Sequence, residues 1–305
     1  MSLKGWNYIS GKSVVLMSKI LKIEVMKNFL SNTIDEFISN LKRIYEVGEE
    51  YKDFNEIINY DWRKNMDLIR TKSPEDFVFN YFHTSTLFLS IRGVLSEKEI
   101  TLTTEDISVS EIRNYIYKGV GKLPEDVKLI LKELKRHIQD EKKTEIFLIK
   151  KEVERELEFV KRDEFLKRFL EIKVDLTNIV NFIRHKALKE SDFYYIPYGT
   201  IKSSTFDSFE KSSIESFIDF SLRKYPSFRV ERKMEDMLLS LEKIKDEYLI
   251  KYLKKSYGDG FGPSLPFAYM NLKLVEYKNL RTVYTGIKYN LPESMVIRRL
   301  RNING

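Results

Sequence analysis

A helical period runs through most of this chain, and few residues are able to interrupt it. Twelve glycines and seven prolines in 305 residues leave little punctuation for a many-turned β-protein. Between Pro124 and Gly199 the pattern is nearly unbroken. Val127, Ile130, Leu131, Leu134 and Ile138 fall on one stripe of a helix, the spacing that buries one face. Pro124, Glu125 and Asp126 open that segment, since proline suits a first turn and acids oppose the N-terminal dipole. Charges of alternating sign from Lys150 to Arg168 read as a solvated helix with i, i+4 pairs. Leu176, Ile179, Val180 and Ile183 form another stripe. The breaks are Tyr117–Pro124, an extended Phe193–Gly199, and Ser256–Pro266, the most flexible-looking loop; Leu291, Pro292 and Glu293 start a last short helix. The expected fold class is all-α.

An internal repeat overlies this pattern. Three helical segments, from His83 to Gly93, from Asp175 to His185 and from Glu276 to Gly286, share a layout. In the last two, an acid (Asp175, Glu276) stands three residues before an asparagine (Asn178, Asn279) that precedes an aliphatic residue; in the first, His83 and Thr86 take those places. Thr86, Asn178 and Asn279 recur at intervals of about a hundred residues. A fainter echo links Thr33–Ile38 with Ser213–Ile218. Three similar helical units are expected, at 1–98, 99–198 and 199–305. Modules of this kind usually serve as scaffolds, with function in shape and surface, and three of them can close into a ring or funnel. The amides of Asn178 and Asn279 are expected to bond neighbouring backbone. Asp175 and Glu276 are expected to accept bonds from Arg184 or Arg281.

Composition narrows the chemistry. The absence of cysteine excludes disulfides and thiolate metal sites and favours a reducing compartment. His83, His137 and His185 have no helical metal-site spacing; His137 reads as part of a charged helix face and His185 as a surface or C-terminal helix residue. Gly119-Val120-Gly121-Lys122 fails as a phosphate loop, because Ile116 and Leu123 occupy its first glycine and hydroxyl positions. The glycine-rich stretch Gly258–Pro263 follows no strand. No catalytic residue, cofactor or metal is expected. No segment is long and apolar enough to span a membrane, and the first residues lack a signal-peptide core, so an intracellular location is expected. The net charge of +7 invites an acidic partner. Abundant aromatics among basic residues keep nucleic-acid binding by a helical scaffold as the alternative function, although most of them fall on helical stripes that suit a core.

Three stretches carry a family resemblance. Asp175–Arg184 is similar to an acid-aliphatic-x-Asn-aliphatic helix that ends in arginine. Tyr195-Ile196-Pro197-Tyr198-Gly199 is similar to an Ile-Pro-Gly-Gly stretch in which Tyr198 replaces the first glycine. Pro266–Tyr269, followed by Lys273, Glu276, Lys278–Arg281, Gly286, Leu291 and Pro292, is the most specific of the three. The chain thereby resembles, over its whole length, the C subunit of bacterial and archaeal V/A-type rotary ATPases, whose eukaryotic counterpart is the vacuolar ATPase d subunit. His83 and Thr86 depart from the family pattern, as does Thr285 at the place of the helix-ending arginine. The resemblance implies a funnel of three helical domains about a pseudo-threefold axis. It implies a cytoplasmic, non-catalytic central-stalk subunit that sits on the membrane rotor ring, receives the central-shaft subunits and transmits torque, with no nucleotide or ion site. Asp175, Asn178, Arg184, Glu276, Asn279 and Arg281 are its family-motif positions, expected in structural or partner contacts.

Overall fold

The computed structural model describes residues 5–97, 102–104, 106–190, 192–231 and 233–303. Among them are fourteen α-helices and no strand, so the chain is all-α as its periodicity requires. Contacts divide it into two compact units: Met1–Ile9 with Asn32–Arg162, and Ser10–Ser31 with Asp163–Gly305. The expected boundary near residue 98 lies outside the described residues, and the one near 198 falls within the second unit.

The first unit is built around α5 (Phe77–Leu95), which is apolar on several sides and buried from Phe77 to Val94. Helices α3 (Ile34–Tyr45), α4 (Phe54–Lys72) and α6 (Val109–Lys118) each open on a capping box, with Thr33 and Glu36, Asp53 and Glu56, and Ser108 and Glu111 satisfying one another's backbone donors. Helices α7 (Glu125–Leu134) and α8 (Glu141–Val160) complete the unit. Packing runs from α3 to α4, α4 to α5, α5 to both α6 and α8, and α7 to its neighbours α6 and α8. Leu87, Phe88 and Ile91 of α5 share a core with Ile112, Ile116, Leu131, Leu134 and Leu148.

The near-unbroken helical reading after Pro124 needs two corrections. Helix α7 stops at Leu134, so Ile138 and His137 lie in the turn beyond it. Asp140 then caps α8 by accepting from the Lys143 backbone N–H at 3.0 Å. The alternating charges up to Arg168 hide a second break: α8 ends at Val160, and Asp163 caps the next helix through the Leu166 N–H. Nor are those charges only a solvated face. Glu152 takes one end of Arg92 on α5, Arg155 reaches Asp126 and Lys151 reaches Glu133 on α7, and fully buried Glu156 accepts from Ser85 at 2.7 Å. These pairs tie helices together, beside the expected pairs within a helix such as Lys151 with Glu154 and Lys167 with Glu171.

The second unit is dominated by two 25-residue helices, α9 (Glu164–Leu188) and α13 (Ser264–Lys288). Between them in sequence come α10 (Ser203–Phe209), α11 (Ile214–Lys224) and α12 (Met234–Leu253), and α14 (Glu293–Arg299) follows α13. Helix α12 packs on both α9 and α13, and α11 packs on α9. The unit also takes in the chain from Ser10 to Ser31, including α2 (Ile23–Asn28), which packs on α13. The stretch from Ser256 to Pro266 runs from exposed Tyr257 and Phe261 into the start of α13. Its start lies in a 3-10 turn, and Gly262 and Pro263 are buried against the first turn of α13, where the Gly262 carbonyl accepts from Ser10 at 2.9 Å. Aromatics close the core: Phe182 contacts Phe206, Phe217 and Phe193 with ring centroids 4.4 to 5.5 Å apart. These rings face inward, where no nucleic-acid base stacks.

Candidate functional site

The motif positions form two copies of one device, both in the second unit. On α9, Asn178 is fully buried and faces the extended chain that follows the helix. Its Nδ2 donates to the Ile196 carbonyl at 2.8 Å, and its Oδ1 accepts from the Ile196 N–H at 2.9 Å. On α13, Asn279 makes the same two-bond clamp with Arg301, at 2.8 and 2.9 Å. An amide is the side chain that satisfies one residue's donor and acceptor together. The extended segments have no strand partner, so this pairing replaces a sheet ladder.

One turn earlier on each helix stands the acid. Asp175 is fully buried and accepts from the Ile201 N–H at 2.9 Å, the Thr200 hydroxyl at 2.6 Å and the Tyr225 hydroxyl at 2.5 Å. Burial pushes the Tyr225 hydroxyl well up and the Asp175 charge reinforces it, so Tyr225 stays a donor. Glu276, also buried, accepts from the Leu21 N–H at 2.7 Å and from the Lys273 ammonium. The offset along the chain that relates Thr33 to Ser213 also relates Leu21 to Ile201. Lys22 and Lys202, the next residues, both hold extended N-cap conformations before a short helix. The N-terminal segment thus serves α13 as the segment after Tyr198 serves α9.

Arg184 does not take up the expected pairing with Asp175 and pairs instead with Glu242 of α12 at 2.9 Å. The Asp175 oxygens receive backbone and hydroxyl donors, and those of Glu276 receive the Leu21 N–H and the Lys273 ammonium. His185 lies in the last turn of α9, as the C-terminal helix reading has it, and is buried there with Nε2 3.0 Å from Glu210. In the first unit, Thr86 donates to the Phe82 carbonyl and accepts from the Trp62 indole at 3.2 Å, so it makes no clamp. The extended residues 102–104 are held instead by Asn59 of α4, whose Oδ1 accepts from the Thr103 N–H at 3.0 Å. His83 contacts Asp106 at 2.9 Å.

Two glycines make room for this architecture. A Cβ at Gly199 would come within 2.2 Å of the Asp175 carboxylate, and one at Gly286 within 2.6 Å of Val296 on α14. Tyr198, just before Gly199, adopts φ +79°, in the left-handed region that disfavours a side chain.

Sequence reasoning missed Asp246 on α12. It is 5% exposed and receives Lys278 at 3.2 Å and Arg301 at 3.0 Å. Burial opposes its ionisation, but Lys278, Lys245 and Arg301 outweigh that and hold its carboxyl below the usual range. In sequence it is one acid among many in a charged helix. Tyr225 was likewise unmarked, because its partner lies fifty positions away.

Among the described residues no group of three or more His, Asp or Glu is placed to hold a metal ion, and no helix is long and apolar enough to cross a membrane. Residues 9–299 match the family model described as the ATP synthase (C/AC39) subunit. The chain is also 23% identical to the C subunit of the V-type sodium ATPase of Enterococcus hirae, over 97% of its own length and 96% of that protein's. Asn178, Asn279 and the clamped Ile196 lie inside the matched span and Arg301 just beyond it, and on that match the chain belongs to the ATP synthase (C/AC39) subunit family.

Proposed function

We propose that this chain is a non-catalytic central-stalk subunit of a V/A-type rotary ATPase, linking the rotor shaft to the membrane ring and transmitting torque. One observation carries the mechanical reading. Two 25-residue helices each bind the chain around them through a buried acid and a buried asparagine. A coupler has to resist twist, and close-packed helices whose connecting segments are bonded to them resist it. No catalytic group enters this reading: Asp175 holds backbone and hydroxyl donors in place, and Glu276 holds a backbone N–H and the Lys273 ammonium. We read the chain further as three related units around α5, α9 and α13, arranged as a funnel on the cytoplasmic face of the membrane, with the net charge of +7 aiding association with the ring assembly.

The test is co-purification of the tagged chain from native membranes in mild detergent, followed by coupling assays. The expected result is recovery with the ATPase subunits. Complexes depleted of the chain should then hydrolyse ATP without moving ions. Depleted complexes that still pump would overturn the torque role, and recovery with nucleic acid alone would favour a nucleic-acid scaffold.

A further inference from the structure

Between α13 and α14 lies a concavity of about 270 Å³ that the clamps leave unused. Lys278, Arg281, Arg299 and Arg301 line it, and among its described lining residues there is no carboxylate. Asp246, beside it, takes up Lys278 and Arg301, so the opening keeps an excess of positive charge. Thr282 and Thr285 add two hydroxyls on the α13 side, and Leu291, Met295 and Val296 form an apolar wall. Met295 is 45% exposed although it borders a cavity large enough for an apolar side chain. Gly286 allows the close approach of α14 to α13 that shapes this wall.

We propose that this pocket receives an acidic segment of another polypeptide of the rotary complex, with one apolar side chain against Met295 and Leu291 and a flanking carboxylate on Arg299. The proposal rests on the subunit reading above and adds the chemistry of one partner. A bare phosphate would meet the basic groups and the Thr282 and Thr285 hydroxyls but leave the apolar wall of Leu291, Met295 and Val296 uncovered, which an apolar side chain beside a carboxylate covers. A membrane surface calls for basic charge spread over a face. Here it is local: α14 exposes Glu293, and the neighbouring Arg298 is paired with Asp236 of α12. An apolar anchor beside a desolvated charge pair is a usual form of protein recognition.

The test places a photo-crosslinking phenylalanine analogue at position 295 of the full chain, within the complex purified from cells. Irradiation should join position 295 to a peptide of another subunit that carries Asp or Glu beside an apolar residue. Arg299→Glu should cut the crosslink about tenfold, while Arg299→Lys retains most of it. The analogue at Leu239, exposed on α12 away from the pocket, should not capture that peptide. A crosslink to lipid, to a second copy of this chain, to a peptide without acids, or to nothing while the chain is present in the complex would overturn the inference. Failure to enter any ATPase complex would instead refute the subunit reading.

Discussion

Side chains that satisfy backbone are the chief economy of this protein at the level of single residues. Asn178→Ala would leave both the Ile196 N–H and its carbonyl buried without a partner, whereas Asn279→Ala would unpair the same groups of half-buried Arg301. The first is expected to cost about 3 kcal/mol in urea unfolding, since an orphaned buried polar group costs about 1–3 kcal/mol, and the second about 1 kcal/mol, because water reaches Arg301. Asn178→Asp should restore little, having no amide donor. Tyr198 is the opposite case. The resemblance marks it as standing where relatives carry glycine, and its φ of +79° gives the physical reason for that glycine. Tyr198→Gly should stabilise the chain by about 1 kcal/mol in the same assay, because relief of left-handed strain exceeds the added freedom of the unfolded chain. A destabilised Tyr198→Gly protein would show that contacts of the ring outweigh the strain. Both positions were visible in sequence, the asparagines through their recurrence and Tyr198 through its departure from a motif. Their bonds were not, because the partners sit on irregular chain with no period to read.

At the level of helices, the stripes placed the elements and the caps set their ends. The stripe through Ile138 overran α7 because apolar spacing continues through the turn, while Asp140 and Asp163, two acids among many, turned out to be the start signals. The joint between α12 and α13 depends on Asp246, and its electrostatics are testable. Its carboxyl is held below the usual range, so its contribution is full above the unfolded value of about 3.9 and is lost as pH falls through the depressed folded value. Asp246→Asn should therefore destabilise the protein by about 2 kcal/mol at neutral pH, at the low end for a buried pair because Lys278 reaches water. The gap to the wild type should close as the pH is lowered below about 4. A gap that stays constant down to acid unfolding would mean that shape, not charge, makes the joint.

For the molecule as a whole, the long helices were legible, and the place of the N-terminal segment was not. Nothing local announces that Ser10–Ser31 belongs with residues beyond Asp163. Only the buried carboxylate of Glu276, more than two hundred residues away, gives the Leu21 N–H its place. Glu276→Ala should raise amide hydrogen exchange in 10–31 and in α13 together, while the Ile196 amide held by Asn178 stays protected; a response confined to α13 would contradict the joint unit. The same contact orders events in time. Synthesis delivers 10–31 well before α13, the helix on which α2 packs. Until α13 follows, buried Met26 and Phe29 lack that part of their core. The cell has to keep this short apolar stretch from the wrong company over that interval, and the second unit closes on residues made long before its second long helix.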